Sequence, residues 1–111
     1  MNNPKFQIFK SSANSQFYFR LRAANGEIIL GGEGYISKQS CQNGIISVKS
    51  NSSWDLRYDK RSTAAGYSFN LLAANGEIVG RSEVYNSSQA RDNGIAAVKR
   101  DAPNAGIEDL G

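Results

Sequence analysis

Apolar and polar positions alternate over two short stretches near the start of the chain, Phe6 and Ile8, then Phe17, Phe19 and Leu21. A period of two sends successive side chains to opposite faces, so each stretch reads as a strand with one buried face. The second half repeats the pattern with Trp54, Leu56 and Tyr58, then Tyr67, Phe69 and Leu71. The polar segments Ser11–Gln16 and Asp59–Gly66 read as hairpin loops, the second longer by about two residues. Asn25-Gly26 and Asn75-Gly76 then signal a tight turn of type I′, in which both central residues take positive φ, and a third strand follows each. Each half is thus predicted to begin with a three-stranded meander.

The period then changes. Ser37 and Ser87 can accept a hydrogen bond from a first helical turn, and the helices that follow carry narrow apolar stripes: Cys41, Ile45 and Val48, then Ala90, Arg91, Ile95 and Val98. Gly44 and Gly94 sit inside these helices at a cost of about 1 kcal/mol each, which predicts close approach of another element. After Pro103 and Gly106, Ile107 to Leu110 read as a last short strand. If Trp54 to Tyr58 closes one repeat and opens the next, the architecture is α+β. Two βββα(β) units then form one antiparallel sheet, with terminal strands exchanged between them. Both helices would cover the face carrying Phe19, Leu21, Trp54, Phe69 and Leu71.

Duplication underlies this reading. Ala23-Ala24-Asn25-Gly26-Glu27-Ile28 recurs as Ala73-Ala74-Asn75-Gly76-Glu77-Ile78. Glu33, Tyr35, Ser37, Gln39, Asn43, Gly44, Ile45, Val48 and Lys49 recur at the same offset as Glu83, Tyr85, Ser87, Gln89, Asn93, Gly94, Ile95, Val98 and Lys99. A gapless self-match of this length predicts a duplicated supersecondary unit and a pseudo-two-fold axis. The repeats are read as 5–52 and 53–111 of a single domain spanning 1–111, too small for either half to fold alone with much margin. Ala-Ala-Asn-Gly-Glu, then Glu-x-Tyr-x-Ser, then Asn-Gly-Ile-x-x-Val-Lys, each present twice, resembles the YegP-like family of small bacterial proteins of unknown function. The resemblance spans nearly the whole chain. It implies the tandem architecture with exchanged terminal strands, and no activity or functional residue.

Composition narrows the chemistry. The 111 residues carry 13 basic and 10 acidic side chains without a run of either, a net +3 that permits a polyanionic partner without requiring one. Cys41 is the only cysteine, so no intramolecular disulfide forms, and Met1-Asn2-Asn3-Pro4-Lys5 lacks the apolar core of a signal peptide. No apolar stretch approaches membrane-spanning length. These features predict a monomeric cytoplasmic protein with no membrane partner. With no histidine, the commonest general base and zinc ligand is missing, and one cysteine closes thiolate-rich metal sites; no metal, cofactor or catalytic residue is assigned. Gly31-Gly32-Glu33-Gly34 lacks the Lys-Ser/Thr ending of a phosphate-cradling loop and reads as a bend.

Two sets of residues remain. Tyr18, Arg20 and Arg22 alternate with the inward residues of their strand, so they point to the helix-free face, where Arg57 is expected to join them from a neighbouring edge. An aromatic-basic patch of this kind can stack an unpaired base and neutralise phosphate, as single-strand binders do. The matching positions Ser68, Asn70 and Leu72 make it one-sided. The second set repeats symmetrically: Glu33 and Glu83, Tyr35 and Tyr85, Asn43 and Asn93, Lys49 and Lys99. The dyad could pair the two glutamates as acid and base, while the tyrosines and lysines are more simply explained by holding the helices to the sheet. The predicted function is a small non-enzymatic binding or interaction module. Its partner is a protein or single-stranded nucleic acid, and a carboxylate enzyme is the alternative. Exposed Phe9 and Leu72 mark where a protein partner would be sought.

Overall fold

A computed structural model describes residues 3–111, so Met1 and Asn2, where the reading of the N-terminus begins, lie outside the described residues. The strands are β1 (Lys5–Lys10), β2 (Phe17–Arg22), β3 (Ile28–Gly31), β4 (Tyr58–Thr63), β5 (Gly66–Leu72), β6 (Ile78–Arg81) and β7 (Gly106–Asp109). The helices α1 (Lys38–Asn51) and α2 (Ser88–Asp101) follow β3 and β6. Ser37 and Ser87 cap them, each side-chain oxygen accepting at 3.0 Å from the backbone N–H of Ser40 or Ala90.

All seven strands form one sheet in the order β4-β5-β6-β3-β2-β1-β7. The repeats meet at β3 and β6, which run antiparallel with Gly31 opposite Arg81. Phe6, Ile8, Phe19, Leu21, Leu30, Phe69 and Leu71 are buried on one face, against Cys41, Ile45 and Val48 of α1 and Ile95 and Val98 of α2. Phe6 meets Phe19 edge-on at 6.0 Å, and Tyr58 meets Phe69 in the same way at 5.6 Å, so the two halves build equivalent parts of one core. The fold is therefore α+β, with both helices on one face of a single sheet.

Four local expectations are corrected. The sheet is mixed, because β7 runs parallel to β1, with Ile107 opposite Phe6, while the other pairings are antiparallel. Trp54 and Leu56 are not core residues: Asp55–Arg57 forms a 3-10 turn, and the two apolar side chains are 59% and 90% exposed. Tyr58 opposes Leu71 as Phe6 opposes Leu21, so Tyr58 is the counterpart of Phe6 and the alternation reaching back to Trp54 is incidental. The second hairpin is consequently the shorter one, with only Ala64 and Ala65 between β4 and β5. Finally, Asn25 does not take positive φ; Gly26 and Gly76 do, at +88° and +86°. Gly26 N–H donates to Ala23 O at 2.9 Å and Ala23 N–H to Glu27 O at 2.9 Å, a type I turn closed by a left-handed glycine. Asn25 Oδ1 accepts from Glu27 N–H at 3.0 Å, which explains asparagine there without a left-handed backbone.

Candidate binding face of the sheet

The helix-free face is built by the same alternation that builds the core. With Phe6, Ile8, Phe19 and Leu21 buried, Gln7 and Phe9 of β1 and Tyr18, Arg20 and Arg22 of β2 fall on the opposite side, half-buried. Register places Gln7 opposite Arg20 and Phe9 opposite Tyr18. The Phe9 and Tyr18 rings stack at 5.9 Å with 18° between planes, and the Arg20 guanidinium lies 4.8 Å from the Phe9 centroid.

Gln7 organises the charges. Its Oε1 accepts from Arg20 Nε at 2.8 Å and from Arg22 Nε at 2.7 Å, while its Nε2 donates to Glu108 at 2.6 Å. Arg22 Nη1 also donates to Gly26 O at 2.6 Å, and Asn14 Nδ2 donates to the Tyr18 hydroxyl at 2.8 Å. Both terminal nitrogens of Arg20 and one of Arg22 are left uncommitted among the described residues. Sequence reasoning names Tyr18, Arg20 and Arg22 but misses Gln7 and treats Phe9 only as an exposed apolar group. The alternation of Phe6 and Ile8 already put both on this face; only strand pairing put them beside the arginines.

Arg57 does not join the patch. It lies in the 3-10 turn, where its Nε donates to Asn51 Oδ1 at 3.0 Å, next to β4 and across β5, β6 and β3 from β2. Its offset from the alternating residues of β4 gave it a strand position it does not occupy. The glutamate pair does not form either. Antiparallel pairing about Gly31 and Arg81 sends the chain to Glu33 one way and to Glu83 the other, a separation of roughly 14 Å along the ladder. Glu33 is ion-paired with Arg81, whereas Glu83 lines a groove of 440 Å³ with Arg22, Glu27 and Tyr85.

The other repeated residues hold the fold. Tyr35 and Tyr85 bridge to Phe17 and Tyr67 through their backbones and reach Gly44 and Gly94, where a Cβ would stand 2.4 and 2.5 Å from the hydroxyl oxygens. Burial raises both phenols above the ordinary tyrosine value. Asn43 and Asn93 accept from Gln39 and Gln89 one helical turn earlier. Lys49 Nζ donates to Ala105 O at 2.7 Å, and Lys99 is ion-paired with Asp55. Cys41 is buried, and desolvation pushes its thiol up to about 11. Phe9 and Leu72, sought as exposed, are half-buried. Among the described residues no group of three or more His, Cys, Asp or Glu is placed to hold a metal ion, and no helix is long and apolar enough to cross a membrane.

The profile of a domain of unknown function, DUF1508, matches this chain twice, over residues 12–59 and 62–109. The chain belongs to the DUF1508 family. Each matched unit runs from a second meander strand through a helix into the following strand. The UPF0339 protein YegP of Escherichia coli K12 is 51% identical over 61 residues, 55% of this chain and 54% of YegP. A UPF0339 protein from the 5′ region of the ptx operon of Stutzerimonas stutzeri is 45% identical over 60 residues. The chain spans about half the length of these curated relatives, 53% and 54%. Two solution structures of DUF1508 relatives match the fold with TM-scores of 0.90. One is a UPF0339 protein of Shewanella oneidensis, 44% identical over 97% of this chain and 92% of its own. The other is E. coli YegP, described as a protein of unknown function, 43% identical over 99% of this chain and 95% of its own. The resemblance to YegP-like proteins is thereby established, and these DUF1508 relatives bring no activity to the chain.

Proposed function

We propose that this protein is a non-enzymatic, monomeric, cytoplasmic binding module whose helix-free sheet face takes single-stranded nucleic acid. The observation that supports this reading is the Arg20, Phe9 and Tyr18 stack beside Arg22, held in place by Gln7. A flat aromatic pair offers a surface for an unpaired base, and guanidinium N–H groups next to it suit phosphate oxygens. Because Gln7 orients both arginines before any ligand arrives, little side-chain entropy is lost on binding. The contact area is small and confined to repeat one, which fits a short single-stranded segment.

The test is an amide-shift titration of labelled protein with mixed-sequence single-stranded RNA and DNA at two salt concentrations. Shifts centred on Gln7, Phe9, Tyr18, Arg20 and Arg22 are expected. With Arg20 and Arg22 as the phosphate contacts, log affinity should fall with log salt with a slope of about −1.4. Arg20→Ala should weaken binding about tenfold without changing the fold. Unchanged spectra at low salt would retire the reading.

A further inference from the structure

The two ends of the sheet are built alike and finished differently. At one end β7 lies outside β1, received by pairing with β1 and by two lysines of α1. Ile107 stands opposite Phe6, and Lys49 Nζ donates to the Ala105 carbonyl at 2.7 Å. The same Lys49 Nζ lies 5.8 Å from the Phe6 ring centroid, and Asp109, opposite Ile8, accepts from Lys38 Nζ at 2.8 Å. At the other end β4 is the counterpart of β1, but among the described residues no strand lies outside it.

The receiving parts are nevertheless present. Tyr58 replaces Phe6, and Lys99 Nζ lies 5.6 Å from its ring, as Lys49 does from Phe6. Ile95 stands where α1 carries Ile45, and a groove of 480 Å³ is floored by Tyr58, Ile95 and Ala96 and walled by Asp55, Lys60, Asp92 and Lys99. Lys99 meets Asp55 instead of a strand carbonyl. Exposed Trp54 and Leu56 precede Tyr58 directly and border the same end of β4. An unpaired strand edge beside an apolar floor is the geometry of strand addition.

We propose that the outer edge of β4 binds an extended segment of a partner protein as an added parallel strand. Its chemistry follows from β7. An aliphatic residue takes the Ile107 position over Tyr58 and Ile95, and an acidic residue two positions later takes the place of Asp109. There the neighbour across the ladder is Lys60 in place of Ile8; Lys60 is ion-paired with Asp92 of α2 at 3.3 Å, and the incoming acid exchanges with Asp92 for that countercharge. Lys99 exchanges Asp55 for a backbone carbonyl of the incoming strand. A second copy is the poorer occupant: antiparallel self-pairing of β4 about its centre sets Lys60 against Arg61 of the other copy, and β7 is already engaged on β1.

The test uses a synthetic peptide of residues Ala105–Gly111 added in trans to the labelled full-length protein. At millimolar peptide, amide shifts are expected over Tyr58–Thr63 and at Ile95 and Lys99. Lys60→Glu, an exposed change on an edge strand, should weaken the effect at least tenfold while the spectrum stays dispersed, and a peptide carrying Ile107→Asp should produce none. The proposal is overturned by unchanged spectra, by shifts confined to β1, or by shifts that Lys60→Glu leaves undiminished. It is equally overturned if sedimentation without peptide shows self-association that Lys60→Glu abolishes.

Discussion

Gly31 and Arg81, the same position in the two repeats, face each other across the β3–β6 ladder. The pseudo-two-fold axis passes between them. That pairing separates the two repeated glutamates, and it explains an asymmetry at the seam. Arg81 is ion-paired with Glu33, but Glu83 has no such partner at Gly31, which carries no side chain.

Gly44→Ala and Gly94→Ala should each lower stability, although alanine is the better helix former by about 1 kcal/mol. The new methyl would lie 2.4 Å from the Tyr35 hydroxyl oxygen and 2.8 Å from its Cζ, and the ring is held by stacking on Phe19 at 6.4 Å. Overpacking of this kind costs about 1–3 kcal/mol. Urea denaturation measures it, and Gly44→Ala combined with Tyr35→Leu should recover much of the loss. A stabilised Gly44→Ala would show that the tyrosine is free to move.

Gly26→Val and Gly76→Val should each cost more than about 1 kcal/mol, because a β-branched residue is strained at φ near +88° and +86°. Nothing lies within 4 Å of a Cβ at either position, so the cost is conformational and not steric crowding. Gly26→Asn, which tolerates the left-handed region, should be milder than Gly26→Val. Equal melting temperatures for Gly26→Val and wild type would refute the turn.

With its thiol raised to about 11 by burial, Cys41 should be almost entirely protonated at neutral pH. Native protein at pH 7.5 should therefore react with a disulfide-exchange reagent only as fast as it opens, and urea should release full reactivity. Rapid stoichiometric labelling without denaturant would contradict the buried position.

Acid should act on β7. The Asp109 carboxyl is held below the usual carboxylate range, first by the hydrogen bond from Lys38 and then by the Gly111 N–H. A depressed folded value means that the charged form favours the folded state. Its contribution is present above the ordinary aspartate value of about 3.9 and is lost as pH falls through the folded one. Lys38→Met should move the Asp109 titration, followed by carboxyl NMR, back up toward that ordinary value. No movement would show that Lys38 does not hold it.

Whatever depends on neighbours along the chain was legible in the residues: the duplication, the alternation that makes Phe19 and Leu21 inward and Arg20 and Arg22 outward, the Ser37 and Ser87 caps, and the glycine at each turn. These follow from local sterics and periodicity, which act over a few residues. Folding of the whole chain was needed to show that β7 lies parallel to β1, that Gln7 joins two arginines, that Arg57 sits three strands from their patch, and that Glu33 and Glu83 diverge. Strand order and register arise from burying two repeats in one core, a long-range condition that spacing along a chain does not encode. Even the alternation of Trp54, Leu56 and Tyr58 was ambiguous for this reason, since the pairing of Tyr58 with Leu71 chose which of the three faces the core.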